Sequence, residues 1–291
     1  QYGAGRLHAE TALGTGRMTS TFECSKKWGD YRWNRDLVNI QNSELMIIMP
    51  FEYLYVTDIG DTLQDISMKY IVVEDHVVPQ LFTTAIEAYE FEHRAHLKGK
   101  GAINLETFGL LWGYSIPQKG ENPARIVSTM ATVETSALRH QDWVRPDLNS
   151  IIAKKEFFTK YWPNIELVGT FHSHPYADLD TVNEIKGWRA SDGDKDFWPW
   201  FHEYVSPEQP LLAHIIVTIT KLERKGWAYP DRLRGNERKM GYVLSADNRK
   251  LWLRSYGSQI DFDDNGEEMF IFKDDLQIEI PSLQNRFWEN S

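Results

Sequence analysis

Two histidines one residue apart, His172 and His174, lie in the run Leu167-Val168-Gly169-Thr170-Phe171-His172-Ser173-His174-Pro175 and are the side chains best suited to chemistry. Residues i and i+2 of a strand project to the same face, so the two imidazoles emerge together and suit one shared metal ion. Pro175 cannot donate to a ladder, which predicts that the strand ends there and leaves the pair at its open end. The competing reading is a strand end carrying two solvated imidazoles. A third ligand is wanted, preferably a carboxylate. Seventeen residues after His174 comes Ser191-Asp192-Gly193-Asp194, where Ser191 can cap a helix and Asp194 points back to the same end. An ordinary surface cap is the alternative there. Glu106 precedes the almost wholly apolar run Thr107-Phe108-Gly109-Leu110-Leu111-Trp112-Gly113. Acids are seldom buried without a partner, so Glu106 either flanks a buried strand, pairs with a cation, or takes a proton from water at the site.

Elements must bring these residues together. Hydrophobic patterning predicts a strand over Tyr70–Val73 and a helix from about Asp75 to His96, with Val78, Leu81, Ala85 and Tyr89 at helical spacing and Pro79 in its first turn. Further strands are predicted around Glu106–Gly113, Arg125–Val133, Ile165–Phe171, Leu211–Ile219 and Met269–Phe272. A second helix is expected over Pro146–Trp162, stopped by Pro163. Gly241–Leu244 and Lys250–Arg254 read as a hairpin turning at Ala246-Asp247-Asn248. This alternation gives the fold class: α/β (or α+β), a mixed central sheet flanked by helices.

Composition narrows the function. With 32 Lys+Arg against 42 Asp+Glu, the formal charge is -10, which argues against nonspecific nucleic-acid binding. No apolar run approaches the ~18 residues of a membrane span. One cysteine, Cys24, rules out an internal disulfide framework and a multi-cysteine zinc site, and favours a reducing, cytoplasmic compartment. Any metal therefore falls to histidines and carboxylates. His93 and His96 sit beside Arg94, Lys98 and Lys100 and read as charge compensation at a helix end. His202-Glu203 lacks the second histidine of a zincin, since Ser206 stands in its place. The basic residues Lys221, Arg224, Lys225, Arg232, Arg234, Arg238 and Lys239 are interrupted by acids and read as a solvated loop, with a docking patch for an acidic partner as the alternative.

Glu106 with Gly109-Leu110-Leu111-Trp112-Gly113, then His172-Ser173-His174-Pro175, then Ser191 and Asp194, in that order, resemble the JAMM/MPN+ zinc metalloproteases, the deubiquitinase-like isopeptidases. The resemblance covers about residues 68–255. It implies a JAMM/MPN (cytidine-deaminase-like) domain there, with residues 1–67 as an N-terminal extension (1–18 expected to be mobile) and 256–291 as an acidic C-terminal segment. It also implies Zn2+ held by His172, His174 and Asp194, Glu106 as general base and acid, and Ser191 supporting the oxyanion. The implied substrate is the C-terminus of a ubiquitin or ubiquitin-like protein, at a peptide or isopeptide bond. The connection between Pro175 and Ser191, residues 176–190, is longer than the family pattern. Asp178, Asp180, Asp192 and Asp196 therefore compete with Asp194, which is preferred because a serine stands three positions before it. The extra length is either a lid or a surface excursion. The alternatives to this function are a catalytically silent MPN scaffold that binds protein partners, and a metallopeptidase acting on ordinary peptides.

Overall fold

The structure is a computed structural model, and it describes residues 70–94, 101–120 and 123–283. The expectations for residues 1–67 and for Cys24 and His96 lie outside the described residues. One eight-stranded mixed sheet forms the centre, in the order β10-β1-β3-β2-β6-β7-β8-β9. Its strands are β1 Tyr70–Val73, β2 Phe108–Ile116, β3 Arg125–Val133, β6 Glu166–Tyr176, β7 Leu211–Arg232, β8 Gly241–Phe262, β9 Glu268–Lys273 and β10 Gln277–Glu279. The two-residue strands β4 (Leu138–Arg139) and β5 (Val144–Arg145) pair separately. β6 and β7 run parallel, and their crossover carries two helices, α3 (Leu179–Ile185) and α4 (Asp192–Val205).

Helices cover both faces. α1 (Val78–Glu90) lays Leu81, Ala85 and Tyr89 on a core that includes Ile71, Leu111, Val168, Phe171, Ile215 and Val217. α2 (Leu148–Tyr161), capped by Asp147 accepting from Asn149 N–H at 3.0 Å, packs with α4 on the other face, where Phe108, Leu110, Trp112, Ile151, Leu212 and Phe201 meet. Trp112 stacks on Phe158 at 4.1 Å. Fully burying a side chain such as Leu110 or Leu111 contributes about 2 kcal/mol each. No described helix is long and apolar enough to cross a membrane.

Several expected elements differ in extent. α1 ends at Glu90, because the chain turns into extended backbone at Phe91 and His93 then exchanges backbone bonds with Ala102 at 2.8 and 3.0 Å. His93 therefore lies past the helix in a β-bridge, while its ring Nε2–H donates to Glu87 O in the last turn of α1 at 3.1 Å, beside the helix end as expected. The hairpin expected at residues 246–248 is instead part of one 22-residue strand, β8. Asp247, at φ 58°, lies opposite a register shift between Lys221 and Gly226; a bulge and a turn both draw on residues that tolerate the left-handed region. The described part of the acidic C-terminal segment, residues 256–283, supplies the end of β8, β9 (over the expected strand Met269–Phe272) and β10 to the sheet, with Leu276 and Ile278 fully buried and β10 beside β1. Pro175 does not end β6: Pro175 and Tyr176 pair with Ile219 and Thr220. Ser173 N–H points to Thr107 O on the β2 side, so the nitrogen of residue 175 faces that side too, where β2 no longer runs and no donor is needed.

Candidate metal centre

β6 and the start of α4 build the site. His172, His174 and Asp194 offer ligand atoms that all lie within 4.8 Å of one another. His172 Nε2 is 3.0 Å from His174 Nε2, and Asp194 presents Oδ1 at 3.1 Å to His172 and Oδ2 at 3.4 Å to His174. Two nitrogens and a carboxylate in a tetrahedral zinc site stand about 3.3 Å apart, from bonds of about 2.0–2.1 Å, so the spacing fits a single small cation. Both histidines are buried, at 4% and 7% exposure. The group can hold a metal ion.

Two of the three side chains, His174 and Asp194, are oriented by a second contact. A carbonyl only accepts, so His174 Nδ1–H donates to Gly187 O at 3.3 Å, which makes Nε2 the nitrogen that faces the site. Thr218 Oγ1 donates to the same carbonyl at 3.1 Å. Ser191 caps α4: Asp194 N–H donates to Ser191 Oγ at 3.1 Å, while Asp194 Oδ2 accepts from Ser191 N–H at 2.8 Å and from Ser191 Oγ at 2.7 Å. This capping box fixes Oδ2 and leaves Oδ1 facing His172. The Ser191 hydroxyl proton is thus given to Asp194, and donation to an oxyanion requires the hydroxyl to rotate. Of the competing acids, Asp178 caps α3 through Thr181 and Asp192 pairs with Lys195; both are exposed, as are Asp180 and Asp196.

Glu106 lies where β2 begins. Phe108 is opposite His172, and Thr107 and Ser173 exchange bonds, Ser173 N–H to Thr107 O and Thr107 N–H to Ser173 Oγ, each 3.0 Å. Continuing that register sets Glu106 opposite His174 and on the same face. Its own N–H donates to His140 O at 2.7 Å, in the loop between β4 and β5. Burial pushes the Glu106 carboxyl up to about 8; His174 pulls the other way, and the Asp194 and Asp142 carboxylates add to the rise. Burial also opposes charge on His174, but the bond and charge of Asp194 hold the imidazole up at about 9. Asp194 in turn stays well below the usual carboxylate range: against its burial, His172 and His174 favour the anion.

α4 is held to the sheet by a buried polar chain that local motifs did not reveal. His202 Nε2–H must donate to Gln209 O at 2.8 Å, so Ser258 Oγ donates to His202 Nδ1 at 3.0 Å. His214 Nε2–H then donates to Ser258 Oγ, and Thr170 Oγ1 donates to His214 Nδ1, both at 2.8 Å. Burial keeps both imidazoles below their ordinary pKa, consistent with neutral rings. Trp198 stacks on His214 at 4.8 Å and backs His172 at 5.9 Å. His202, set aside in the sequence as a failed zincin motif, anchors the helix that carries Asp194. Gly187 O, Thr218 and this chain depend on long-range packing, and no spacing in the sequence signals them.

Residues 176–190 form α3 and its flanks. Asp178 caps the helix, Val182 is fully buried against Leu233 and Trp252, and Lys186 at φ 54° closes it. No family model matches the chain, and no curated protein matches it.

Proposed function

We propose that the chain is a zinc-dependent hydrolase of the JAMM/MPN+ type, cleaving peptide or isopeptide bonds at the C-terminus of a ubiquitin or ubiquitin-like protein. The observation that carries this reading is the convergence of His172, His174 and Asp194 within 4.8 Å, with buried Glu106 at the β2 end of the same register. The order of Glu106, His172-x-His174-Pro175 and Ser191-x-x-Asp194 adds support from the sequence. Zinc, when bound, supplies Lewis acidity and lowers the pKa of water toward neutrality.

The residues of this chain do the rest. His172 and His174, once deprotonated, present neutral nitrogens, and Asp194 brings the negative charge that attracts a dication. Glu106, raised toward neutral pH by burial, has the proton affinity to take a proton from water and return it to the departing amine. Ser191, once rotated off Asp194 Oδ2, offers its hydroxyl to the developing oxyanion. The experiment is cleavage of a ubiquitin-like protein carrying a C-terminal extension, compared with a short generic peptide. Zinc-dependent cleavage of the fusion, lost in Glu106→Gln with zinc retained, supports the proposal. Cleavage that survives Glu106→Gln, or that favours the generic peptide, contradicts it.

A further inference from the structure

Between the partner of one ligand and the partner of another runs a five-residue segment, Gly187-Trp188-Arg189-Ala190-Ser191. Gly187 O orients His174, and Ser191 orients Asp194. The three residues between them all end on one network, built by β8 and the 3-10 turn before it (Gly235–Met240). Trp188 Nε1–H donates to Glu237 Oε2 at 3.3 Å, Arg189 Nε–H donates to Glu237 Oε1 at 3.0 Å, and Ala190 N–H donates to Tyr256 Oη at 2.8 Å. Arg254 joins the two acceptors: its guanidinium donates to Tyr256 Oη and lies 3.3 Å from Glu237 Oε1 and 3.0 Å from Asp274 Oδ1. Glu237, Arg254 and Tyr256 are 6%, 3% and 0% exposed.

We propose that Glu237, Arg254 and Tyr256 are positioning residues for the metal centre, bracing residues 187–191 so that His174 and Asp194 keep the spacing a cation needs. This inference rests on the zinc reading of the site. Residues 176–190 form a long connection, and a long connection holds a ligand geometry only if it is pinned. The brace pins it at three consecutive residues. At Gly187 the backbone passes close to the Tyr176 ring, which a side chain there would meet at 2.6 Å. Burial opposes the charge on Glu237, yet its bonds to Arg189 and the nearby Arg254 keep it ionised, so the network holds as a charged unit.

The test measures zinc affinity of the full chain by competition with a chromophoric chelator. Outer contacts of this kind are worth about 10–100-fold in metal affinity. Glu237→Ala is expected to weaken zinc binding within that range, and Tyr256→Phe, which keeps the ring but loses the acceptor for Ala190, by about tenfold. Glu237→Gln, which keeps an acceptor oxygen, should lie between wild type and Glu237→Ala. Arg249→Ala, which breaks the pair with Glu90 on the α1 face, should leave zinc affinity unchanged. In zinc-loaded wild type the His174 Nδ1–H should give a slowly exchanging imidazole proton resonance, lost or broadened in Glu237→Ala. Wild-type zinc affinity and an unchanged resonance in folded Glu237→Gln and Tyr256→Phe would overturn the brace alone. A wild-type chain that takes up no zinc would overturn the proposed function and this inference with it.

Discussion

Replacing Glu106 by Gln separates two consequences of burying a carboxyl beside a metal site. In chelator-treated protein the carboxyl titrates at about 8 in the fold against 4.5 unperturbed, raised by burial. A folded pKa above the unfolded one contributes stability that is fully present below 4.5 and is lost as pH rises toward 8, because the unfolded chain ionises while the fold holds its proton. At 1.36 kcal/mol per pKa unit this loss comes to about 3 kcal/mol at pH 7, as an upper bound. Gln has nearly the same shape and never ionises. Glu106→Gln should therefore match wild type near pH 4.5 and be the more stable at neutral pH, by up to about 6–12 °C in Tm. Thermal melts of the metal-free proteins between pH 4.5 and 8.5 measure this. Adding zinc should narrow the gap, since a nearby dication favours the carboxylate. The same variant should lose about 10²–10⁴-fold in kcat while it still binds zinc. Parallel pH profiles, or a less stable Glu106→Gln at pH 7–8, would refute the argument that this acid is held protonated by burial.

Zinc affinity should depend on pH, because His174 is held near 9 in the metal-free state and must give up its proton. Affinity is expected to rise about tenfold per pH unit toward that value, with roughly one proton released by calorimetry in buffers of different ionisation enthalpy. Ser191→Ala removes the capping hydroxyl and one bond to Asp194; it should cost about 1 kcal/mol of stability by urea unfolding and about tenfold in zinc affinity. Gly169→Ala would bring a Cβ to 1.9 Å from Ala213 O between the parallel strands β6 and β7, so its urea midpoint should fall by the equivalent of about 3 kcal/mol.

Much of the site was legible because its residues obey short-range rules. His172 and His174 needed only the two-residue period of a strand. The spacing of Ser191 and Asp194 signals a capping box, and the resemblance singles out Asp194 as a ligand; the structure brings Asp194 to the two histidines and Ser191 to Asp194. β1 and β3 followed from apolar runs and match their expected limits, Tyr70–Val73 and Arg125–Val133. What the sequence hid depends on pairing at long range. The alternation Leu276, Ile278, Ile280 marks β10, but the surrounding acids mask it in any reading by composition. Asp247 reads as a turn residue, and only its register against β7 shows a bulge. Pro175 looked like a strand end because its partner on one side could not be seen to stop first. Glu237, Arg254 and Tyr256 carry no local pattern, since their roles come from what the fold sets beside them.

The most direct measurement is anomalous X-ray scattering at the zinc edge from crystals grown with zinc. The account predicts a peak bonded at about 2.0–2.2 Å to Nε2 of His172, Nε2 of His174 and a carboxylate oxygen of Asp194. Zinc-loaded crystals with no density among these three side chains, or with the ion bound elsewhere, would contradict it.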